Sequence, residues 1–123
     1  MTDANYAFSV RVRPRIGRPD LRLSPAEFEL QLSKTASQPG DDGWLFFRDY
    51  LWRGNLNDEE YFRRELESAL DMRVTSVSFS GLRTSPEYLE ALKSEIRAHL
   101  DLFNAETVEE VLNKYLGSSI QVE

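Results

Sequence analysis

The residue types best suited to making contacts gather in one stretch. Segment 44–54 places five aromatic rings, Trp44, Phe46, Phe47, Tyr50 and Trp52, among Arg48, Asp49 and Arg53, and closes on Gly54. Tryptophan, tyrosine and arginine are the types enriched at interface hot spots, because each offers a large apolar area together with a polar handle. So short a run cannot hide all five rings on one buried face. Some of them must form core, and only those left over can carry function. The binding candidates are therefore Trp44, Arg48, Asp49, Tyr50, Trp52 and Arg53. Were the chain a small-molecule enzyme, Arg48, Asp49 and Arg53 would be the polar groups inside an aromatic pocket.

A second group, Arg11, Arg13, Arg15 and Arg18, extended by Arg22, could contact phosphates as a basic stripe. The competing reading is a solvated strand face that pairs with acidic helices. No aromatic ring suited to base stacking lies on the same face, which counts against single-strand binding. Catalytic chemistry finds little to work with. His99 is the sole histidine and there is no cysteine, so a thiolate nucleophile and a thiolate metal site are excluded and His99 has no companion ligand. No spaced acidic loop of the calcium-binding kind occurs. Gly117, Ser118 and Ser119 resemble a phosphate cradle, but they follow a helix C-terminus, where the dipole repels anions. Serines lack a nucleophile elbow. No catalytic residue, metal or cofactor is expected.

Composition sets the frame. The 123 residues fit one domain spanning 1–123, and the 41% hydrophobic and 29% charged content suits a folded chain. Net charge is −6, unevenly spread: residues 1–25 hold five arginines against Asp3 and Asp20, whereas residues 54–123 hold fourteen acids against seven bases. Twelve arginines stand against three lysines, a bias that suits high salt or a GC-rich genome. Residues 1–6 lack the basic and apolar regions of a signal peptide, and no apolar run approaches a membrane span. A cytoplasmic chain with no membrane contact is expected.

The elements that must position these residues follow from periodicity. Residues 6–13 alternate as a half-buried strand, with Phe8, Val10 and Val12 inward, and Pro14 ends it. Residues 24–34 support two readings. Ser24, Pro25 and Glu27 look like a capped helix start, while Phe28, Leu30 and Leu32 alternate as a strand, which is preferred. Residues 35–43 form a polar loop expected to join antiparallel neighbours. Aromatic content and bounding glycines favour a strand for 44–52 over a helix. Asn57 is expected to cap a helix carrying Phe62, Leu66, Ala69 and Leu70 inward. Residues 73–80 read as a strand ended by Gly81. Ser85 and Pro86 open a helix with Leu89, Leu92, Ile96, Leu100 and Phe103 in a stripe. A third helix over 105–116 stops at Gly117, and Ile120 and Val122 could close the fold as a strand. The fold class is α+β: an antiparallel or mixed sheet of about four strands, with about three helices on one face.

Two stretches carry a likeness to a known family: Pro39, Gly40, Asp41, Asp42, Gly43 followed by Trp-Leu-Phe-Phe-Arg-Asp and then Leu51, Trp52, Arg53, Gly54; and Lys114, Tyr115, Leu116, Gly117, Ser118, Ser119, Ile120. The sequence resembles the LWR-salt proteins of halophilic archaea over nearly its whole length. The resemblance supplies no catalytic residue, and Leu51, Trp52 and Arg53 inherit only the standing of a family signature. It does imply a setting of molar salt, where the Debye length falls to about 3 Å. Screening then disfavours binding to nucleic acid and favours apolar and aromatic association. The expectation is a non-catalytic binding or protein-interaction module that uses segment 44–53, with a protein partner or a second copy of itself as a homodimer. The alternative is a nucleic-acid-associated accessory protein using the arginine stripe.

Overall fold

A computed structural model describes residues 4–123, so Asp3 and the first part of the amino-terminal reading lie outside the described residues. Strand β1 (Ala4–Arg13) alternates as its sequence requires, burying Phe8, Val10 and Val12 completely while Arg11 and Arg13 face solvent. β2 (Phe28–Thr35) pairs antiparallel with β1 in an unbroken register from Asn5 with Thr35 to Val12 with Phe28. The strand reading of residues 24–34 therefore holds for the part where Leu30 and Leu32 sit opposite Val10 and Phe8.

A five-residue helix, α1 (Phe46–Tyr50), leads into the two-residue strands β3 (Leu51–Trp52) and β4 (Asn55–Leu56), which pair with each other. The 35–43 loop thus joins a strand to this helix, whereas the sequence predicts a connection between antiparallel neighbours. Helix α2 (Glu59–Leu70) is capped by Asp58, whose carboxylate accepts from the Tyr61 N–H, one residue later than the expected Asn57. Asn57 is engaged elsewhere: its amide donates to the Asp49 carbonyl at 2.8 Å and its N–H to the Tyr50 carbonyl at 3.0 Å. Phe62, Leu66 and Leu70 pack from α2 onto the core, while Ala69 is exposed.

β5 (Arg73–Thr84) runs four residues further than expected because Gly81 lies inside it. Its register with β1 slips twice, so that Thr75 and Ser80 are extra residues opposite continuous β1. Each bulge resets the alternation, which is how Val74, Val77, Leu82 and Thr84 all come to be buried. Close approach explains the glycine, since a Cβ at Gly81 would stand 2.5 Å from the Ser119 carbonyl oxygen. Helix α3 (Pro86–Ala98) starts as expected, with Ser85 as its cap and Pro86 at the first turn. A 3-10 turn (Leu100–Phe103) then leads to α4 (Val108–Tyr115), capped by Thr107. β6 (Ile120–Val122) closes the sheet parallel to β5.

The sheet order is β2-β1-β5-β6, mixed in direction, with the helices on the face that carries Phe8, Val10 and Val12. The opposite face is polar and open, with Ser9 bonded to Gln31 and close to Ser80. The fold is the α+β class expected from a strand-rich first half and a helix-rich second half. Among the described residues, no helix is long and apolar enough to cross a membrane.

Candidate functional site

Segment 44–52 is helical first and extended only at its end, against the strand reading. A strand would send Phe46 and Phe47 to opposite faces, but the sheet has only one covered face. In a helix, successive side chains turn by about 100°, so both rings can stay on the buried side. Phe46 meets Tyr6 at 4.6 Å, Tyr50 at 5.0 Å and Phe62 at 5.9 Å between ring centroids. Phe47 stacks on Phe103 at 5.6 Å and touches Tyr115 edge-on at 6.0 Å. Two neighbouring phenylalanines thus anchor two aromatic clusters, one toward β1 and α2, the other toward the 3-10 turn and α4.

Leu51 ends this buried run at 1% exposure. From there the chain reverses in a two-residue hairpin, pairing Leu51 with Leu56 and Trp52 with Asn55. Arg53 (φ 52°) and Gly54 (φ 81°) both occupy left-handed backbone, as the favoured right-twisted hairpin turn demands. An arginine there costs about 1 kcal/mol or more. The turn is held by two bonds at its tip: Arg53 N–H donates to the Lys114 carbonyl and Gly54 N–H to the Tyr115 carbonyl, each at 2.9 Å. The last carbonyls of a helix lack partners within it, so the hairpin caps α4 as α4 fixes the hairpin. Close contact and left-handed backbone together favour glycine on both sides. A Cβ at Gly54 would lie 3.1 Å from the Leu116 oxygen, and one at Gly117 (φ 60°) would lie 3.2 Å from both Arg53 C and O.

What this lock presents outward is Trp52, which stays 45% exposed. Its ring meets Tyr115 edge-on at 5.9 Å, with the Arg53 guanidinium 5.8 Å and the Lys114 ammonium 6.0 Å from its centroid. Lys114 also donates to the Phe103 carbonyl at 3.0 Å and the Asn104 carbonyl at 3.4 Å, which fixes it beside the ring. Arg53 makes no ion pair with a carboxylate among the described residues. An open cleft of about 510 Å³ runs along this group, lined also by Glu110, Asn113 and Gly117.

The six predicted site residues do not converge. Trp52 and Arg53 share the hairpin. Arg48 pairs with its neighbour Asp49 at 2.9 Å and reaches the Leu102 carbonyl at 3.4 Å. Trp44 is half-buried against Phe47, Phe103 and His99, and with Asp49 borders a separate cleft beside Gly40 and Gly43. Tyr50 stacks on Tyr61 with centroids 6.0 Å apart and planes 7° from parallel. A hydrogen bond with Glu65, that residue's charge and the contact with Tyr50 push the Tyr61 hydroxyl up to about 12. Burial pushes Tyr88, which donates to the Ser37 carbonyl, also to about 12, and raises Tyr6 still further.

The arginine stripe is largely paired, though with acids of β2 and the preceding loop and not with helices. Arg11 meets Glu29 at 3.6 Å, Arg13 meets Glu27 at 3.4 Å, and Arg18 grips both oxygens of Asp20 at 3.1 and 2.7 Å. Arg15 is exposed in the loop that follows β1. His99 ends α3, its Nδ1 3.1 Å from the Glu95 carbonyl and 3.3 Å from the Glu95 carboxylate. Among the described residues, no three His, Asp or Glu side chains gather as a metal site. Sequence reasoning missed Lys114, Tyr115 and Asn113 as parts of the Trp52 site. Their signal was the Lys114 to Gly117 motif, which sits against Leu51 to Gly54 in space.

Fold and site together define a small α+β domain that carries a glycine-locked hairpin with an exposed tryptophan at its tip. The chain belongs to the LWR-salt protein family, whose sequence model matches residues 2–123. Comparison with curated proteins and with solved structures returns no match. The three letters of the signature have separate places here: Leu51 in the core, Trp52 on the surface and Arg53 in the turn.

Proposed function

We propose that this chain is a non-catalytic protein-interaction module of a halophilic cytoplasm, which presents Trp52 and Arg53, with Lys114 beside them, to a protein partner. The observation that carries this reading is the exposure of Trp52 on a backbone fixed at both ends. A large ring held rigid loses little conformational entropy on docking, so most of its contact area contributes to affinity. Arg53, with no carboxylate partner among the described residues, is available to an acidic group on the partner, and its planar fork suits that role. Aromatic and apolar contact persists in molar salt, where exposed charges are screened within about 3 Å. The nucleic-acid reading draws less support, because Arg11, Arg13 and Arg18 already hold carboxylates.

The test is affinity capture at native salt from the native host, with the wild-type chain and with Trp52→Ala and Arg53→Asn. A partner retained by the wild type and lost from both variants, while their thermal melts stay close to wild type, supports the reading. Identical retention by all three chains sinks it.

A further inference from the structure

We infer that the free edge of β2 is a self-association surface, on which a second copy of this chain adds its own β2 antiparallel to build one continuous eight-stranded sheet. This surface is independent of the Trp52 hairpin and lies at the edge of the sheet remote from β6.

Edge strands offer unpaired N–H and C=O groups, and folded proteins usually blunt them with proline, bulges, short length or charged side chains. β2 has none of the first three, running eight residues without proline and without a register shift against β1, and its two charges, Glu29 and Lys34, are of opposite sign near opposite ends. The bond from the Ala36 N–H to the Ala4 carbonyl, at 3.0 Å, sets the phase of the β1–β2 ladder. Even-numbered residues of β2 then bond to β1. Glu29, Gln31, Ser33 and Thr35 direct their backbone groups outward.

That phase, with the charges, selects one pairing. Antiparallel self-pairing about a two-fold axis keeps each side chain on its own face of the sheet, and the outward residues must be the hydrogen-bonded pairs. Centring the axis on Leu32 pairs Glu29 with Thr35 and Gln31 with Ser33 of the second copy. All four outward residues then find partners, each pair exchanging two hydrogen bonds. No like charges meet, because Glu29 faces a threonine on the polar side and Lys34 faces Leu30 on the helix side. Sliding the strands until Glu29 faces Glu29, or Lys34 faces Lys34, would both shorten the overlap and oppose like charges. The chosen register also covers apolar surface that the helices leave bare. Leu30 is 37% exposed on the helix side and Leu32 is half-buried there. In the pair, Leu32 meets Leu32 of the second copy, with Leu30 as its diagonal neighbour.

The full chain lacks cysteine, which makes the register testable. At the axis, the two Leu32 positions form a non-hydrogen-bonded pair with Cα atoms about 4.5 Å apart, within disulfide reach. Leu32→Cys should give a covalent dimer under mild oxidation, whereas Leu30→Cys, which faces Lys34, should stay monomeric on a denaturing gel. Gln31→Pro removes an outward N–H without touching the β1 ladder, and should halve the mass seen by sedimentation equilibrium. Independently of any variant, the amides of Gln31 and Ser33 should exchange more slowly as wild-type concentration rises. Trp52→Ala should leave the dimer intact. A wild type that sediments at the 14.2 kDa of one chain at every concentration overturns the proposal. So does a dimer that survives Gln31→Pro, equal cross-linking at both leucine positions, or a dimer dissolved by Trp52→Ala alone.

Discussion

The N–H of Arg53 donates to the Lys114 carbonyl across 2.9 Å, so a hairpin turn in mid-chain closes a helix that ends far along the chain, at Tyr115. Gly54 and Gly117 are the paired conditions of that contact, one on each side. Gly117→Ala places a methyl group against the Arg53 carbonyl, a backbone atom that cannot swing aside, on left-handed backbone. Gly54→Ala meets the Leu116 oxygen in the same way. Each should lower stability by at least about 1 kcal/mol from the backbone conformation alone. Urea unfolding of the two variants checks this, and a wild-type midpoint for either would refute the lock.

Arg53 separates shape from charge. Its backbone is left-handed at φ 52°, a conformation that asparagine adopts more readily than arginine. Arg53→Asn should therefore match or slightly exceed wild-type stability while removing the guanidinium from the Trp52 ring. A clear loss in melting temperature would mean that the side chain holds the hairpin, contrary to its place on the surface.

The sheet was legible because β1 and the helices α3 and α4 obey simple periods: Phe8, Val10 and Val12 alternate, and Ser85, Pro86, Leu92 and Ile96 mark a capped amphipathic helix. Segment 44–52 was not legible, because aromatic content favours strands in general whereas the decision here came from elsewhere. Only one face of the sheet is covered, and Phe46 and Phe47 both needed it. Gly81 misled for a similar reason, since it reads as a stop but lies inside β5, beside the bulge at Ser80, where it admits the Ser119 carbonyl. The candidate site was half visible. Trp52 and Arg53 stood out by type, but their fixing by Lys114 and Tyr115 joins residues far apart in sequence. The Lys114 to Gly117 motif marks one partner and Leu51 to Gly54 the other, but local pattern does not say that the two touch.

Leu51 and Trp52 are neighbours with opposite duties. Leu51 is 1% exposed, so Leu51→Ala should cost about 2–5 kcal/mol through lost burial and the cavity left behind. Trp52→Ala removes an edge contact with Tyr115 and exposed ring area, and should cost about 1 kcal/mol. Equilibrium unfolding read by far-ultraviolet circular dichroism follows both variants on one signal. If Trp52→Ala proved as destabilising as Leu51→Ala, its ring would be a core element and the interaction reading would lose its carrier.

Tyr61 offers a prediction at high pH. Its hydroxyl is raised from 10.0 to about 12, first by a hydrogen bond with Glu65 and then by that carboxylate's charge and by Tyr50. The folded state therefore holds the phenol proton more tightly than the unfolded chain does. The contribution is fully present below about pH 10 and is lost as pH rises toward 12, because the unfolded chain releases the proton first. Glu65→Gln removes the neighbouring negative charge, so Tyr61 should ionise closer to its ordinary value. Tyr88 should not move, since burial and not Glu65 raises it. Tyrosinate absorbance across an alkaline titration, in wild type, Glu65→Gln and Tyr61→Phe, resolves the one transition that shifts. A curve unchanged by Glu65→Gln would show that the carboxylate does not govern this hydroxyl and that the stack on Tyr50 stands without it.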